Sequence, residues 1–398
     1  MIQSVRQQFN KDFTARKYQS FLDDLYSIHS GAIQFRVAET PIFIPAAFLQ
    51  MMRKATDDII NIITAPDFKK KTQGAIPNKL KVPGENSHPD FLVFDFAVCK
   101  DENGGFIPQL VELQGFPTMN AFQVLLDNKY KEHYQIPSNF ISYINGYDEA
   151  AYWKLLKDII VGGHDPEEVI LLEVKPHEQK TRIDFYLTQD KLGVAPVCIT
   201  NLKREGKKLF YYKGKKKIPV KRIYNRLIFD DLFGQKKTLG KHIDLTRHLD
   251  VEWASHPNWF YRTSKYTLPL ISSPYVPATY YLHKLEVIPN DLDNYVLKPL
   301  FSFAGQGVML DVQKEDINRI KDPENWILQK KVEYAPVIKT PDIPAKFEIR
   351  LMLYWKPGEK KPILVQNLCR LSKGKMVGVR YNADKEWVGA TIGYFETD

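Results

Sequence analysis

Cysteine is scarce and scattered. The three in 398 residues, Cys99, Cys198 and Cys369, form no CxxC pair and share no zinc-ligand spacing with the nine histidines. That excludes a disulfide framework or a structural zinc as the organising device. All three lie in apolar, strand-like runs and read as small buried hydrophobes, with a reducing cytoplasm as the expected compartment. Long apolar runs are also missing: no stretch approaches the roughly 20 residues of a membrane span. Residues 1–9 have no apolar core and no small-residue cleavage site, so neither a membrane partner nor a secretory leader is expected. No internal repeat and no low-complexity tract is present. No Ser/His/Asp or Cys/His nucleophile set stands out, and His256, beside Pro257-Asn258-Trp259, reads as a packed loop histidine. The nearest imitation of a Walker A loop, Gly234 to Gly240-Lys241, has five residues between its glycines and His242 where Ser or Thr belongs.

What remains is an ordinary globular composition, 44% hydrophobic and 26% charged, long enough for two or three domains. The net charge of +9 and a pI near 9.1 favour anionic partners. Much of the excess is local. Lys203-Arg204-Glu205-Gly206-Lys207-Lys208 and Lys213-Gly214-Lys215-Lys216-Lys217 flank the strand-like Leu209-Phe210-Tyr211-Tyr212. No nucleic-acid motif accompanies them, so they read as solvated hairpin tips, and a nucleic-acid partner is not expected.

Periodicity places helices over 1–30, 45–63, 119–131 and 148–160. A small α/β unit follows: strand 168–174, helix 180–192, strand 195–200, the basic hairpin, and strand 219–228. Residues 255–293 are rich in proline and aromatics and connect rather than form one element. The last hundred residues read as strands at 294–300, 307–312, 325–330, 346–355, 362–371 and 376–382, with a helix near 314–321.

Two apolar strands, 91–99 and 106–114, flank Asp101-Glu102-Asn103-Gly104-Gly105. Asn-Gly is the strongest short signal for a hairpin and predicts a two-residue type I′ turn. With that turn Asp95 falls opposite Glu112, and Gln114 lies two residues on, on the same face. Facing carboxylates repel unless compensated. A hard divalent cation held by carboxylate and amide oxygens would do so, as would a lysine or arginine. A bulge near Pro108 would shift this register.

A second candidate is Tyr295-Val-Leu-Lys298-Pro-Leu-Phe-Ser302-Phe-Ala-Gly305-Gln306-Gly307. Glycines let backbone N–H groups approach phosphate oxygens, and Lys298 adds charge. The segment lacks the strand–helix context and third glycine of a dinucleotide fingerprint. Arg226 and Arg350 sit in apolar strands and call for anionic partners, as a structural ion pair or as phosphate contacts. A hairpin joined at Lys373-Gly374 would set Asn367 opposite Arg380. Gln329, in Trp326-Ile-Leu-Gln-Lys330-Lys-Val-Glu333, ends a strand and would border an adenine pocket.

In this order the pieces resemble the circularly permuted ATP-grasp proteins related to glutathionylspermidine synthases, over roughly residues 90 to 385. Asp95 and Glu112-Leu-Gln114-Gly-Phe-Pro117-Thr118 resemble that group's early metal-binding acids. Lys298-Pro299 with Gly305-Gln306-Gly307 resembles its later glycine-rich flap. Val220 to Asp231 resembles the strand carrying a functional arginine, and Gly378-Val379-Arg380 a late Gly-x-Arg element. Gln114 replaces the usual Asn, and Val93 stands where the synthases carry an arginine of substrate activation.

The resemblance implies an α+β, α/β protein: a permuted ATP-grasp fold with a small Rossmann-like domain. It divides the chain into a helical segment (1–90), the metal-binding hairpin and helices (91–160), a small α/β domain (161–235), a connecting segment (236–293) and a nucleotide-binding part (294–398). The implied activity is that of a carboxylate–amine ligase acting through an acyl phosphate, with ATP and Mg²⁺ or Mn²⁺. Its substrates would be a small-molecule or peptide acid and an amine. Asp95, Glu112 and Gln114 would hold the metal. Lys298, Ser302, Gly305, Gln306, Gly307, Gln329, Lys330 and Glu333 would hold the nucleotide. Arg226, Arg350 and Arg380 would stabilise the transferred phosphoryl group. A small-molecule kinase and a non-catalytic nucleotide-binding or interaction protein of the same fold are the alternatives.

Overall fold

The computed structural model describes residues 2–235, 239–301, 307–374, 377, 382 and 384–397. The architecture is a mixture of helices and five sheets. At its centre is a five-stranded antiparallel sheet in the order Gly389–Thr391, Ile363–Ser372, Lys346–Tyr354, Phe91–Lys100, Phe106–Gln114. Phe91–Lys100 is buried along almost its whole length because both faces are covered. Leu92, Phe94, Phe96 and Val98 pack on one side with Phe48, Met52 and Ile59 of the helix Ala46–Ile63. Phe91 and Val93 face the other side, where Phe122 and Leu126 of the helix Asn120–His133 meet them.

A four-stranded parallel sheet lies in the order Glu252–Ala254, Arg222–Asn225, Val169–Glu173, Ala195–Cys198. The near-continuous apolar run Val169–Leu172 suits a strand buried on both faces. The helix Arg182–Leu192 that follows stops at Gly193, whose φ of 75° is the left-handed conformation glycine tolerates. Three short sheets complete the fold, two antiparallel and one mixed. One joins Thr279–Tyr281, Trp326–Lys330 and Tyr295–Pro299; another is the basic meander Lys203–Glu205, Lys208–Lys213, Lys216–Val220. In the third, Ile42–Ile44 runs parallel to Gly393–Glu396, tying the early chain to its last strand. Among the described residues no helix is long and apolar enough to cross a membrane.

Three expectations change. The strand over 307–312 shrinks to a single bridge, Leu297 to Met309. The chain must already turn there into the helix Lys314–Asn318, whose capping box is made by Gln313 and Asp316. The final hairpin also differs: Ile363–Ser372 takes Gly389–Thr391 as its outer neighbour, and the Asn367 side chain bonds both the N–H and the carbonyl of Gly393. Most of the strand expected at 376–382, with Arg380, lies outside the described residues.

The third change is the turn between Phe91–Lys100 and Phe106–Gln114. Asp101 and Gly105 close a three-residue loop, with Gly104 at a φ of 80°. The Asp101 carboxylate accepts from the N–H groups of Asn103 and Gly105, which favours this longer turn over a type I′ turn. The ladder therefore starts one residue out of the expected register. A bulge between Asp95 and Phe96, opposite Val111, restores it, and Asp95 does pair with Glu112, and Val93 with Gln114.

Candidate active site on the central sheet

Period-two alternation places Asp95, Glu112, Glu348, Arg350 and Arg370 on one face of the central sheet, in neighbouring strands. Asp95 is 2% exposed. Its two oxygens accept a bidentate pair of hydrogen bonds from Arg350, both 2.6 Å, and one from Arg370 at 2.9 Å. Burial alone would raise the Asp95 carboxyl, but Arg350, then Arg370, hold it below its usual range. Arg370 also binds Glu348 at 2.6 Å, and Tyr334 donates its hydroxyl to the same carboxylate. Burial leaves Glu348 above the ordinary glutamate range despite Arg370. The charge facing the two acids is thus supplied, among the described residues, by arginine.

Glu112 and Gln114 are different. Their side chains make no hydrogen bond or ion pair among the described residues, and both line a small cleft with Phe260, Tyr261, Ser264, Lys265 and Phe301. Lys265 opens the 3₁₀ helix Lys265–Leu270 and donates to the Pro299 carbonyl at 3.0 Å. Lys298 enters from the neighbouring sheet. Its Nζ is 2.6 Å from Gln329 Oε1 and 3.5 Å from the carbonyl of Val111, the residue before Glu112. Gln329, itself buried, is fixed from behind by its bond to Thr279. Burial pulls the Lys298 ammonium down to about 8; Glu112 opposes that shift and Lys265 adds to it. Lys265 and two oxygen donors therefore share one cleft, and Lys298 reaches the backbone of the strand that carries Glu112.

Arg226 lies deeper. It bonds Asp184 at 3.2 Å and the carbonyl of Thr118, whose hydroxyl takes Arg350 at 3.0 Å. Asp184 in turn accepts from the N–H groups of Ala121 and Phe122, capping the helix Asn120–His133. Arginines from two sheets thus grip the loop between Gln114 and that helix. Gly115 is needed there, since a Cβ would sit 2.6 Å from the Trp259 carbonyl.

Of the other expected site residues, Gly307 takes a φ of 73°, with Pro299 against it. Lys330 and Glu333 are exposed, and their side chains make no bond to the cluster among the described residues. Ser302, Gly305, Gln306 and Arg380 lie outside the described residues. His256 is a loop histidine, bonded to Asn258 and Pro83 and lowered to about 4 by burial. Sequence reasoning missed Glu348, Arg370, Asp184 and Lys265. Glu348 and Arg370 had a signal, since each is a charge inside an apolar strand, Glu348 two residues from Arg350. Lys265 had none.

No protein-family model matches the sequence, and no curated protein matches it. The fold does have a solved counterpart. It is similar to a glutathione synthetase-like effector (GSS30) from Globodera pallida, solved in its apo form, with a TM-score of 0.58 and 12% identity over 98% of this chain and 99% of that one. The two chains therefore share an overall fold along nearly their full length.

Proposed function

We propose that the chain is an ATP-grasp ligase in permuted order that joins a carboxylate to an amine through an acyl phosphate. The observation that carries this reading is the cleft that Glu112 and Gln114 line together with Lys265, with Lys298 close by at the Val111 carbonyl. A cleft offering hard oxygen donors and ammonium groups together suits a metal-bound polyphosphate better than either ion alone. Glu112 and Gln114 fit a Mg²⁺ ion directly. Asp95 fits as the third donor through Oδ1, which accepts only one arginine bond and keeps an acceptor site open. Bound there, the ion would neutralise phosphate charge. The chain's own groups do the rest. Lys298 and Lys265 hold phosphate oxygens, Gln329 orients Lys298, and Arg350 and Arg370 keep positive charge where an acyl phosphate would develop its negative charge. No covalent nucleophile is required.

The test is calorimetric titration of ATP with and without Mg²⁺. Binding should require Mg²⁺ and weaken about tenfold or more in Glu112→Ala, the loss of one charge-assisted contact. Absence of binding by folded wild-type protein would leave the second reading, a non-catalytic scaffold. The Asp95–Arg350–Arg370–Glu348 cluster favours that reading, because its two acids and two arginines already balance without a ligand. ADP release with an acid alone, giving a stable phosphorylated product, would indicate a kinase instead.

A further inference from the structure

The basic meander is unrelated to the cleft, and the proposed function leaves it unexplained. Residues 203–221 hold nine basic side chains and one acid, so eight of the nine net positive charges of the whole chain sit in this short stretch. Lys213 and Lys216 are satisfied by Glu167, and Lys217 by Glu205. Lys203, Arg204, Lys207, Lys208, Lys215 and Lys221 have no acidic partner among the described residues. Such a charge concentration is not needed for the fold.

The sheet register sorts this segment into two faces. Leu209, Tyr211, Ile218 and Val220 point into the core beside the parallel sheet. Lys208, Phe210 and Tyr212 alternate on the opposite face, with Lys203 and Pro219 beside Phe210 and Lys217 beside Tyr212. Tyr212 is 54% exposed. Phe210 is edge-on to it at 5.9 Å between ring centroids. It is only 7% exposed, yet it belongs to no core cluster. Its cover is Lys217, whose ammonium lies 3.9 Å above the ring and reaches across to both oxygens of Glu205 at 2.8 Å. The outer face is thus two aromatic rings in a lysine field, one of them under a Lys217–Glu205 strap.

We propose that this face binds single-stranded nucleic acid, with bases stacking on Tyr212 and, once the strap opens, on Phe210, while the unpaired basic residues follow the phosphates. Sequence-tolerant stacking on aromatics beside a basic track is the physical basis of such binding. A bilayer fits less well. Both turns, Gly206-Lys207 and Gly214-Lys215, carry lysine at the tip and offer no apolar wedge.

The experiment is fluorescence anisotropy on the full chain with labelled 20-nucleotide dT and rU strands. A duplex of the same length, phosphatidylserine vesicles and polyglutamate serve as rival ligands. The single strands should bind about tenfold tighter than the duplex, and six phosphate contacts should give a salt slope of about −4. Tyr212→Ala should weaken binding about tenfold while Tyr212→Phe preserves it. Glu205→Gln, which releases Lys217, should tighten it. Equal binding of strand, duplex and polyglutamate with no effect of Tyr212→Ala would overturn the proposal in favour of a plain polyanion surface. Preference for vesicles would overturn it in favour of a membrane. No binding at physiological salt would make the meander a solvated surface.

Discussion

In the antiparallel sheet Asp95 lies between two guanidinium groups, whereas at the carboxyl end of the parallel sheet Glu173 has, among the described residues, one hydrogen bond, from the N–H of Val174. Both carboxyls are buried, 2% and 7% exposed. Burial penalises the charge of each, and the outcomes diverge. Asp95 stays below its usual range because Arg350 and Arg370 stand against it. Glu173 is pushed up to about 8, chiefly by burial, with Arg226 only partly opposing and Asp231 adding to the rise. Asp95 therefore stays charged where an ordinary carboxyl would, while Glu173 holds its proton up to about 8. A site meant to orient phosphates needs the first kind of environment.

The sharpest way to break this contrast is Asp95→Asn. It leaves Arg350, mostly buried, without a carboxylate and Arg370, about a third exposed, with Glu348 alone, and should cost about 3–5 kcal/mol in urea denaturation at pH 7. A loss under 1 kcal/mol would mean that Glu348 alone suffices for both arginines. Next is Arg226→Met, which strips Asp184 of its cation while leaving its helix-capping bonds. A loss of about 2–3 kcal/mol is expected, smaller because those N–H groups still hold the carboxylate. Glu173→Gln tests the other sheet and reverses the sign. The native carboxyl keeps its proton up to about 8, while an unfolded glutamate loses it near 4.5. The native state therefore binds more protons between those values, and wild-type stability falls as pH rises through that window. The variant should remove that component and be more stable than wild type by about 4 kcal/mol at pH 8, with little difference at pH 4. Identical pH profiles of the two urea midpoints would show that Glu173 is charged in the fold. The smallest effect supplies a baseline free of buried charge: Gly104→Ala, at a φ of 80°, should cost about 1 kcal/mol by thermal denaturation.

The element pattern was largely legible. The strong patterns read over 45–63, 91–99, 148–160 and 346–355 report burial on one or both faces, and burial is what the fold delivers there. The pairing of Asp95 with Glu112 was legible for a different reason. The loop was one residue longer than Asn-Gly implies, and the bulge at Val111 cancelled the shift, so two local departures preserved the long-range match. What compensates Asp95 was not legible, because Arg350 and Arg370 come from strands more than 250 residues away. Sequence spacing tells which residues share a face of one hairpin. It does not tell which distant strand will be laid beside it. Lys265 illustrates the same limit, brought to the cleft by a 3₁₀ turn in a segment without periodicity.

The parallel pairing of Ile42–Ile44 with Gly393–Glu396 bears on how the chain is made rather than on what it binds. Its first register pair joins residues about 350 positions apart, so the closure of that loop is among the most entropically demanding steps in the molecule. Phe43 and Tyr394 pack into the same core as the helix Asn120–His133. That core cannot be completed during synthesis until the ribosome has released residue 396. A nascent chain halted before it would leave Phe43 and the residues packed around it exposed.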